Sequence, residues 1–248
     1  MDKIKVGAVS YLNTKPLLYG IAHSDVRHQI VLTEDYPSNI ARLLIDGVID
    51  VGLVPVAIIP LLPQAHIVGH FCIGAEGPVA SVCLFSQVPI SNITTVVLDY
   101  QSRTSVQLVQ ILLKYYWKKE VHIVPANSNV TTQINGTTAA VVIGDRAFAL
   151  HKTSSYCYDL AEAWVKFTHL PFVFAAWVAN KQLPETFVQS FDAANGLGLQ
   201  HIAEVTNQYS GIVNYDLNYY YTHNISYTLD KQKLAGLHLF LDYLKKDK

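Results

Sequence analysis

The first part of the chain alternates between short apolar runs and polar turns in the order of a β-α-β-α-β unit. The apolar runs are Lys3–Val9, Gln29–Glu34 and Ile49–Val56, and each has the length of a buried strand. Pro16 suits the first turn of the helix after the first run, and Ser38-Asn39 is placed to cap a helix after the second. This order predicts parallel strands joined by right-handed crossovers.

The pattern then predicts two strand-like runs, a second α/β unit that begins after Pro89, and a largely helical end. The expected strands are Ile67–Cys72, Val79–Ser86, Thr95–Asp99, Val121–Val124, Ala139–Ile143 and Phe172–Val178, and the expected helices are Ser102–Trp117, Leu160–Trp164 and Lys231–Leu244.

Two α/β units separated by strand-like segments predict a two-lobed α/β protein with a ligand-binding cleft between the lobes. Residues 1–87 and 175–248 are expected to form lobe one, and residues 88–174 lobe two. The chain would cross between the lobes near residues 84–92 and 168–178. A single doubly wound domain would give a similar pattern, so the chain order alone leaves that alternative open.

Polar turns follow several of the expected strands. They are Ser10–Thr14, Gly77–Ser81, Ser102–Ser105 and Gly144-Asp145. In open α/β sheets, ligands bind at the carboxyl ends of the strands. These turns therefore supply the candidate substrate contacts, which are Ser10, Tyr11, Ser102, Arg103, Thr104, Ser105, Gly144 and Asp145.

The turn Ser102–Ser105 is the best candidate anion site, because hydroxyls and free backbone N–H groups meet there at the start of a helix. The alternatives are that Ser102 only caps this helix and that Arg103 pairs with Asp99. In the first turn, Asn13 or Thr14 could likewise be an ordinary N-cap.

Composition narrows the class of protein. The chain has 248 residues, of which 15% are charged, and a formal net charge of −1, so a nucleic acid is not expected as a partner. No run of eighteen apolar residues predicts a membrane span, and no basic segment followed by an apolar one precedes the first strand, so we expect a cytoplasmic protein. Cys72, Cys83 and Cys157 are widely spaced and are expected to be reduced, buried thiols without a metal.

Several segments, taken together and in order, resemble the chorismate dehydratases of the futalosine route to menaquinone. The segments are Val9–Leu17, Asp50–Pro55, Gly77–Val82, Ser102–Val106, Ile143–Ala147, Asp159–Trp164 and Leu170–Ala175. The resemblance implies a type II periplasmic-binding-protein-like fold. It also implies the loss of water from chorismate to give 3-[(1-carboxyvinyl)oxy]benzoate. No cofactor is expected, because the sequence shows no plausible cluster of ligands and the substrate is poised to become aromatic.

The same resemblance assigns Asn13 and Ser81 as the catalytically important residues. Neither side chain is a base unaided, so the group that takes the C3 proton is left open between Asp145 and the enolpyruvyl carboxylate of the substrate itself. A non-catalytic protein that binds or senses a small anion on the same fold is the alternative function. The oligomeric state is not predicted.

Overall fold

The computed structural model describes residues 3–126 and 129–246. The strands are β1 (Ile4–Val9), β2 (Ile30–Asp35), β3 (Val51–Pro55), β4 (His66–Ala75), β5 (Val82–Ser86), β6 (Thr95–Leu98), β7 (His122–Pro125), β8 (Thr138–Ile143), β9 (Tyr156–Asp159), β10 (Phe172–Ala179) and β11 (Ser226–Thr228). The α-helices are α1 (Lys15–Ala22), α2 (Pro37–Ile45), α3 (Thr104–Ile111), α4 (Arg146–Leu150), α5 (Leu160–Thr168), α6 (Glu185–Gln200), α7 (Ile202–Tyr209), α8 (Leu217–Tyr219) and α9 (Lys231–Lys246). In the part of the chain described, no helix is both long and apolar enough to cross a membrane.

The strands form two mixed sheets. The first has the order β11-β4-β10-β3-β1-β2, with β1 parallel to β2 and β3, and β10 antiparallel to β3 and β4. The second has the order β7-β6-β8-β5-β9, with β6 parallel to β7 and β8, and β5 antiparallel to β8 and β9. The predicted parallel β-α-β-α-β unit is thus confirmed in the first sheet.

The first crossing between the sheets differs from its expected position, and the return overlaps the expected residues 168–178 only in part. Strand β5 lies in the second sheet, so the chain crosses within residues 76–81 and not near 84–92. It returns between β9 and β10, within residues 160–171, so all of β10 belongs to the first sheet. The apolar run 82–85 can be buried in either sheet, and only its pairing with β8 and β9 decides which.

Strand β5 separates two cores. Val82 and Leu84 contribute to the main hydrophobic core, which contains residues of both sheets. Cys83 and Phe85 point to the opposite face and join a smaller core. This alternation follows from the two-residue period of a strand, and it gives the second sheet two chemically different faces.

Two short strands were not predicted from the sequence. Strand β9 and strand β11 each lie at the edge of a sheet. Tyr156 and Cys157 in β9 are exposed, so this segment lacks the buried apolar run that marks the longer strands. The helix expected over Ser102–Trp117 is α3, continued by a π-helical turn at Leu112–Tyr116.

Candidate functional site

A cavity lies where residues of the two sheets face each other, and it includes about 510 Å³ of empty space with its open mouth counted. A cleft between two packed sheets is a common place for a small-molecule site. The lining residues are Val9, Tyr11, Asn13, Thr14, Pro37, Pro55, Ile73, Val79, Val82, Ser102, Thr104, Ser105, Ile143, Gly144, Phe174 and Ala175. Six of the ten predicted site residues are therefore brought together here: Tyr11, Asn13, Ser102, Thr104, Ser105 and Gly144.

Asn13 presents a free amide to this cavity. Its side-chain Oδ1 accepts a hydrogen bond from the Thr14 hydroxyl at 3.1 Å, and its backbone carbonyl accepts one from the Tyr227 hydroxyl at 2.9 Å. No side chain caps the short 3₁₀ turn Leu12–Thr14 or the following helix α1. Thr14 does occupy the N-cap position of α1, but neither its side chain nor that of Asn13 makes a capping hydrogen bond. Nδ2 of Asn13 has no hydrogen-bond partner among the residues that the structure describes, and it is a good donor for a ligand.

The hydroxyls at the start of α3 have divided roles. The Ser102 hydroxyl accepts from the Ser105 backbone N–H at 3.0 Å, so Ser102 does cap this end of the helix. The Thr104 hydroxyl accepts from the backbone N–H of Ala57 at 3.2 Å and thereby ties α3 to the first sheet. Ser105 is buried and lines the cavity, and its hydroxyl has no protein partner among the described residues.

Arg103 is exposed and does not line the cavity, although it was expected to contact the substrate. The expected alternative, a pair with Asp99, is also wrong. Asp99 is instead paired with Arg146, whose Nη2 lies 2.5 Å from its Oδ2. The side chain of Arg103 points outward, whereas that of Arg146, which follows β8, faces the buried carboxylate of Asp99.

Tyr11 connects the two sheets across the cavity. Its hydroxyl donates to Oε1 of Gln101, which lies between β6 and α3. Burial raises the pKa of Tyr11 well above its ordinary value, while the positive charge of Arg146 opposes the rise. The ring packs over Gly144, where an added Cβ would lie 2.8 Å from ring carbons and the backbone has φ +68°. A glycine is therefore required at this position.

Asp145 positions the first turn and does not line the cavity. Its Oδ1 accepts from the backbone N–H of Leu12 at 3.1 Å, between Tyr11 and Asn13. Burial raises the pKa of the Asp145 carboxyl, and the hydrogen bond from Leu12 and the charges of Lys15 and Arg146 oppose this rise.

Ser10 and Ser81 also lie outside the lining. Ser10 is exposed, and its backbone N–H donates to the carbonyl of Asp35 at 3.0 Å. Ser81 is fully buried, and its hydroxyl accepts from the Tyr220 hydroxyl at 2.7 Å. Its neighbours Val79 and Val82 face the cavity instead. The catalytic role assigned to Ser81 by resemblance stays a prediction.

Sequence reasoning missed Gln101 and Tyr220 as the partners of predicted site residues, and it missed Phe174 in the apolar wall. Phe174 does lie inside the segment Leu170–Ala175 that carried the resemblance, so a signal for it was present. Gln101 precedes the polar turn by one residue and Tyr220 sits in a tyrosine-rich stretch, and neither position carries a pattern that predicts its contact.

The lining residues are uncharged, and among those described only Tyr11 has a titratable side chain. The positive potential available to an anion is therefore that of the N-terminal end of α3, together with neutral amide and hydroxyl donors. Such a site can bind and orient a small anion with apolar parts, and it can stabilise a negatively charged leaving group.

Comparison with known proteins identifies the family. A family model described as menaquinone biosynthesis matches residues 4–246. The chain belongs to this menaquinone-biosynthesis family. The match spans both sheets and all the turns around the cavity, so the family assignment covers the whole site and not one motif.

Relatives of this menaquinone-biosynthesis protein include a chorismate dehydratase from Thermus thermophilus, which is 28% identical, with 96% of this chain and 94% of that protein aligned. Among solved structures, protein AF1704 from Archaeoglobus fulgidus matches with a TM-score of 0.72 and 13% identity, over 99% of this chain and 97% of that one. The Candida albicans CA3427 gene product, described as having the generic periplasmic binding protein fold, matches with a TM-score of 0.65 and 11% identity, over 99% and 91%. The predicted periplasmic-binding-protein-like fold is confirmed.

Proposed function

We propose that this protein is a chorismate dehydratase, a lyase that removes water from chorismate to give 3-[(1-carboxyvinyl)oxy]benzoate during menaquinone synthesis. The family match and the chorismate dehydratase relative support this reaction. The expectations of a cytoplasmic location and of a reaction without a cofactor stay predictions.

One observation carries the proposal. The segments whose sequence resembles chorismate dehydratases lie far apart along the chain, yet they meet around one cavity. Of its lining residues, all except Pro37 and Ile73 belong to those segments. Segments that resembled these enzymes only because they share a fold would be spread through both cores, so this convergence supports a shared substrate.

The cavity suits the two ends of chorismate. Its two carboxylates can be bound by the start of α3, where the Ser105 hydroxyl is free, and by other neutral donors of the lining. We assign to Nδ2 of Asn13 the role of donating to the C4 hydroxyl as it leaves or to a carboxylate. The apolar wall that includes Phe174 accommodates the ring, which becomes aromatic when water is lost.

For the proton transfer, we favour the enolpyruvyl carboxylate of chorismate over Asp145. The C3–H bond breaks and its proton passes to this carboxylate, the electron pair forms the ring double bond, and the C4–O bond breaks. The departing hydroxide takes the proton from the carboxylic acid so formed, which releases water and restores the carboxylate. Asp145 lies outside the lining, and its Oδ1 is occupied by the N–H of Leu12. The carboxylate of the substrate belongs to the enolpyruvyl group, whose ether oxygen is bonded to C3. It is therefore held near the C3 proton without movement of any protein side chain.

The reaction is tested by mixing the purified protein with chorismate and following the ultraviolet spectrum and the mass of the product. A dehydratase yields the substituted benzoate, lighter by one water molecule. A protein that binds chorismate and returns it unchanged would contradict the proposal and favour the alternative of a binding protein.

The identity of the base is tested with Asp145→Asn. Asn keeps an oxygen acceptor for the N–H of Leu12 but cannot take a proton at pH 7. If the substrate supplies the base, turnover stays within about tenfold of the unmodified protein, since only positioning is disturbed. Asp145→Ala is the matched control, because it also removes the acceptor, and its turnover should be lower than that of Asp145→Asn. Loss of several powers of ten in Asp145→Asn would make Asp145 the base.

A further inference from the structure

Three side chains with metal-binding atoms meet on the second sheet, away from the cavity. Sγ of Cys83, Sγ of Cys157 and a ring nitrogen of His151 all lie within 4.8 Å of one another. Cys83 is buried, whereas His151 and Cys157 are exposed to solvent. We propose that these three residues form a binding site for a thiophilic divalent cation, Zn²⁺.

The strand register accounts for the meeting of the two sulfurs. Strands β5 and β9 are antiparallel, with Cys83 opposite Asp159 and Phe85 opposite Cys157. The two cysteines are therefore diagonal neighbours on one face of the sheet. Zinc in tetrahedral geometry holds two thiolates about 3.8 Å apart, with Zn–S near 2.3 Å. The three atoms, which lie within 4.8 Å of one another, are close to this spacing.

The imidazole of His151 is already oriented. Its Nε2 donates a hydrogen bond to the carbonyl oxygen of Ala80 at 2.7 Å. Its ring packs edge-on against Phe85, with the ring centroids 5.3 Å apart. This bond leaves Nδ1 as the nitrogen that binds a metal. A histidine ligand whose other nitrogen donates to a backbone carbonyl is the usual arrangement at zinc sites.

The segment around Ala80 is held next to these ligands. Oδ2 of Asp159 accepts from the backbone N–H of Ala80 at 2.7 Å and from the Cys83 thiol at 3.8 Å, and zinc would replace the proton of that thiol. Ala80 has φ +62°, a left-handed conformation that is rare outside glycine. Both polar backbone groups of this strained residue are held by side chains next to the proposed zinc site.

The site lies on the opposite side of strand β5 from the cavity. Val82 lines the cavity, whereas Cys83 belongs to the smaller core behind the sheet. Zinc here would not touch the substrate. It would instead fix His151, and through it the crossing segment at Ala80, whose neighbour Val79 does line the cavity. Two exposed ligands also leave a fourth coordination position open to water.

The test uses the full-length, metal-stripped and reduced protein, titrated with Zn²⁺ against a chromophoric chelator and separately with Co²⁺. We expect one equivalent of Zn²⁺ to bind, and Co²⁺ to give thiolate charge-transfer bands with the visible bands of a tetrahedral ion. Cys157→Ser and His151→Ala alter exposed side chains and should fold. Each variant should bind zinc more than about 100-fold less tightly. Loss of a residue that only hydrogen-bonds to a metal ligand costs up to roughly 100-fold, so a larger loss marks a direct ligand.

Cys72→Ala and His66→Ala are the matched controls, because both residues lie in strand β4 of the other sheet and should leave zinc binding unchanged. The proposal is overturned if the protein binds no equivalent of Zn²⁺, or if Co²⁺ gives no thiolate bands. It is also overturned if Cys157→Ser binds zinc as tightly as Cys72→Ala does. Circular dichroism of each variant shows whether it is folded.

Discussion

Two turns provide most of the polar atoms around the cavity, and they use similar residues in different ways. In the turn after β1, the hydroxyl of Thr14 donates to Oδ1 of Asn13, and Nδ2 of Asn13 stays free. In the turn before α3, the hydroxyl of Ser102 caps the backbone of Ser105, and that of Thr104 holds Ala57. Only Ser105 is left there with a free hydroxyl.

This difference shows that a polar turn at a strand end does not by itself make a binding site, because some of its polar groups are used within the protein. The start of α3 needs its own acceptors, because the first N–H groups of a helix have no partner within it. The turn after β1 is held from outside instead, by Asp145 on Leu12 and by Tyr227 on the carbonyl of Asn13. Its side-chain amide is thereby released for chemistry.

The largest expected effect is at Asn13. Asn13→Ala removes the free donor, and Asn13→Asp replaces it with a negative charge beside a dianionic substrate. Both should slow dehydration at least about 100-fold, the order expected when one preorganised donor is lost. Both should keep the melting temperature, because the side chain caps no helix. Turnover of chorismate and thermal unfolding measure the two effects, and near-normal turnover in Asn13→Asp would contradict the role of this amide.

The second prediction separates two serines three residues apart. Ser105→Ala should weaken binding of substrate and product by about 1–3 kcal/mol, as for a buried hydrogen bond, with little change in stability. Ser102→Ala should do the reverse, since it loses an N-cap worth about 1 kcal/mol. That loss corresponds to about 2–4 °C in melting temperature for a chain of this size.

Calorimetric titration with the product and thermal unfolding, done on both serine variants, test this contrast. Thr104→Val serves as a control that keeps shape and loses only the acceptor of the Ala57 N–H, so it should resemble Ser102→Ala. Equal binding losses in all three variants would mean that the whole turn acts as one anion site, as the sequence suggested.

The smallest effect concerns the buried carboxyl that holds the first turn. Burial raises the pKa of Asp145 above its ordinary value of 3.8, so the folded protein binds this proton more tightly than the unfolded chain does. Its contribution to stability therefore falls as the pH rises from 3.8 through the raised pKa. Asn cannot ionise, so Asp145→Asn should gain stability relative to the unmodified protein across that interval.

Urea unfolding at several pH values tests the sign of this change. Asp25→Asn, at an exposed position in the same lobe as the first turn, is the matched control. The opposite result would be that the unmodified protein becomes more stable than Asp145→Asn as the pH rises. It would show that Leu12 and Lys15 stabilise the charged carboxylate by more than burial destabilises it.

Much of the fold could be predicted from local pattern. The runs at Lys3–Val9 and Ile49–Val56 are fully apolar where they are buried on both faces, and the structure confirms them as parallel neighbours. The sheet that receives β5 could not be predicted, because an apolar run specifies burial and not its partner strand. The edge strand β9 was missed because half of its residues are exposed.

The candidate site was predicted in part, for a related reason. Tyr11 and Gly144 could be named because they follow strands, and strand ends meet at one edge of a sheet. Asn13 was named from the resemblance to chorismate dehydratases. Asp145 and Arg103 also follow this rule, yet one side chain supports a backbone N–H and the other points to solvent. The position of a residue after a strand predicts where its backbone lies in the sheet. The direction of its side chain depends on the local conformation of the turn.

The sequence by itself determined the α/β class, the longer strands of both sheets and the turns that surround the cavity, because burial and helix capping are local properties of residue types. The tertiary structure alone decided where the chain crosses between the sheets, which hydroxyls are already used, and that Cys83, His151 and Cys157 meet. Each of these depends on contacts between segments distant in sequence, such as the register of β5 against β9. The composition of a segment does not specify such a register, because many pairings bury the same apolar residues equally well.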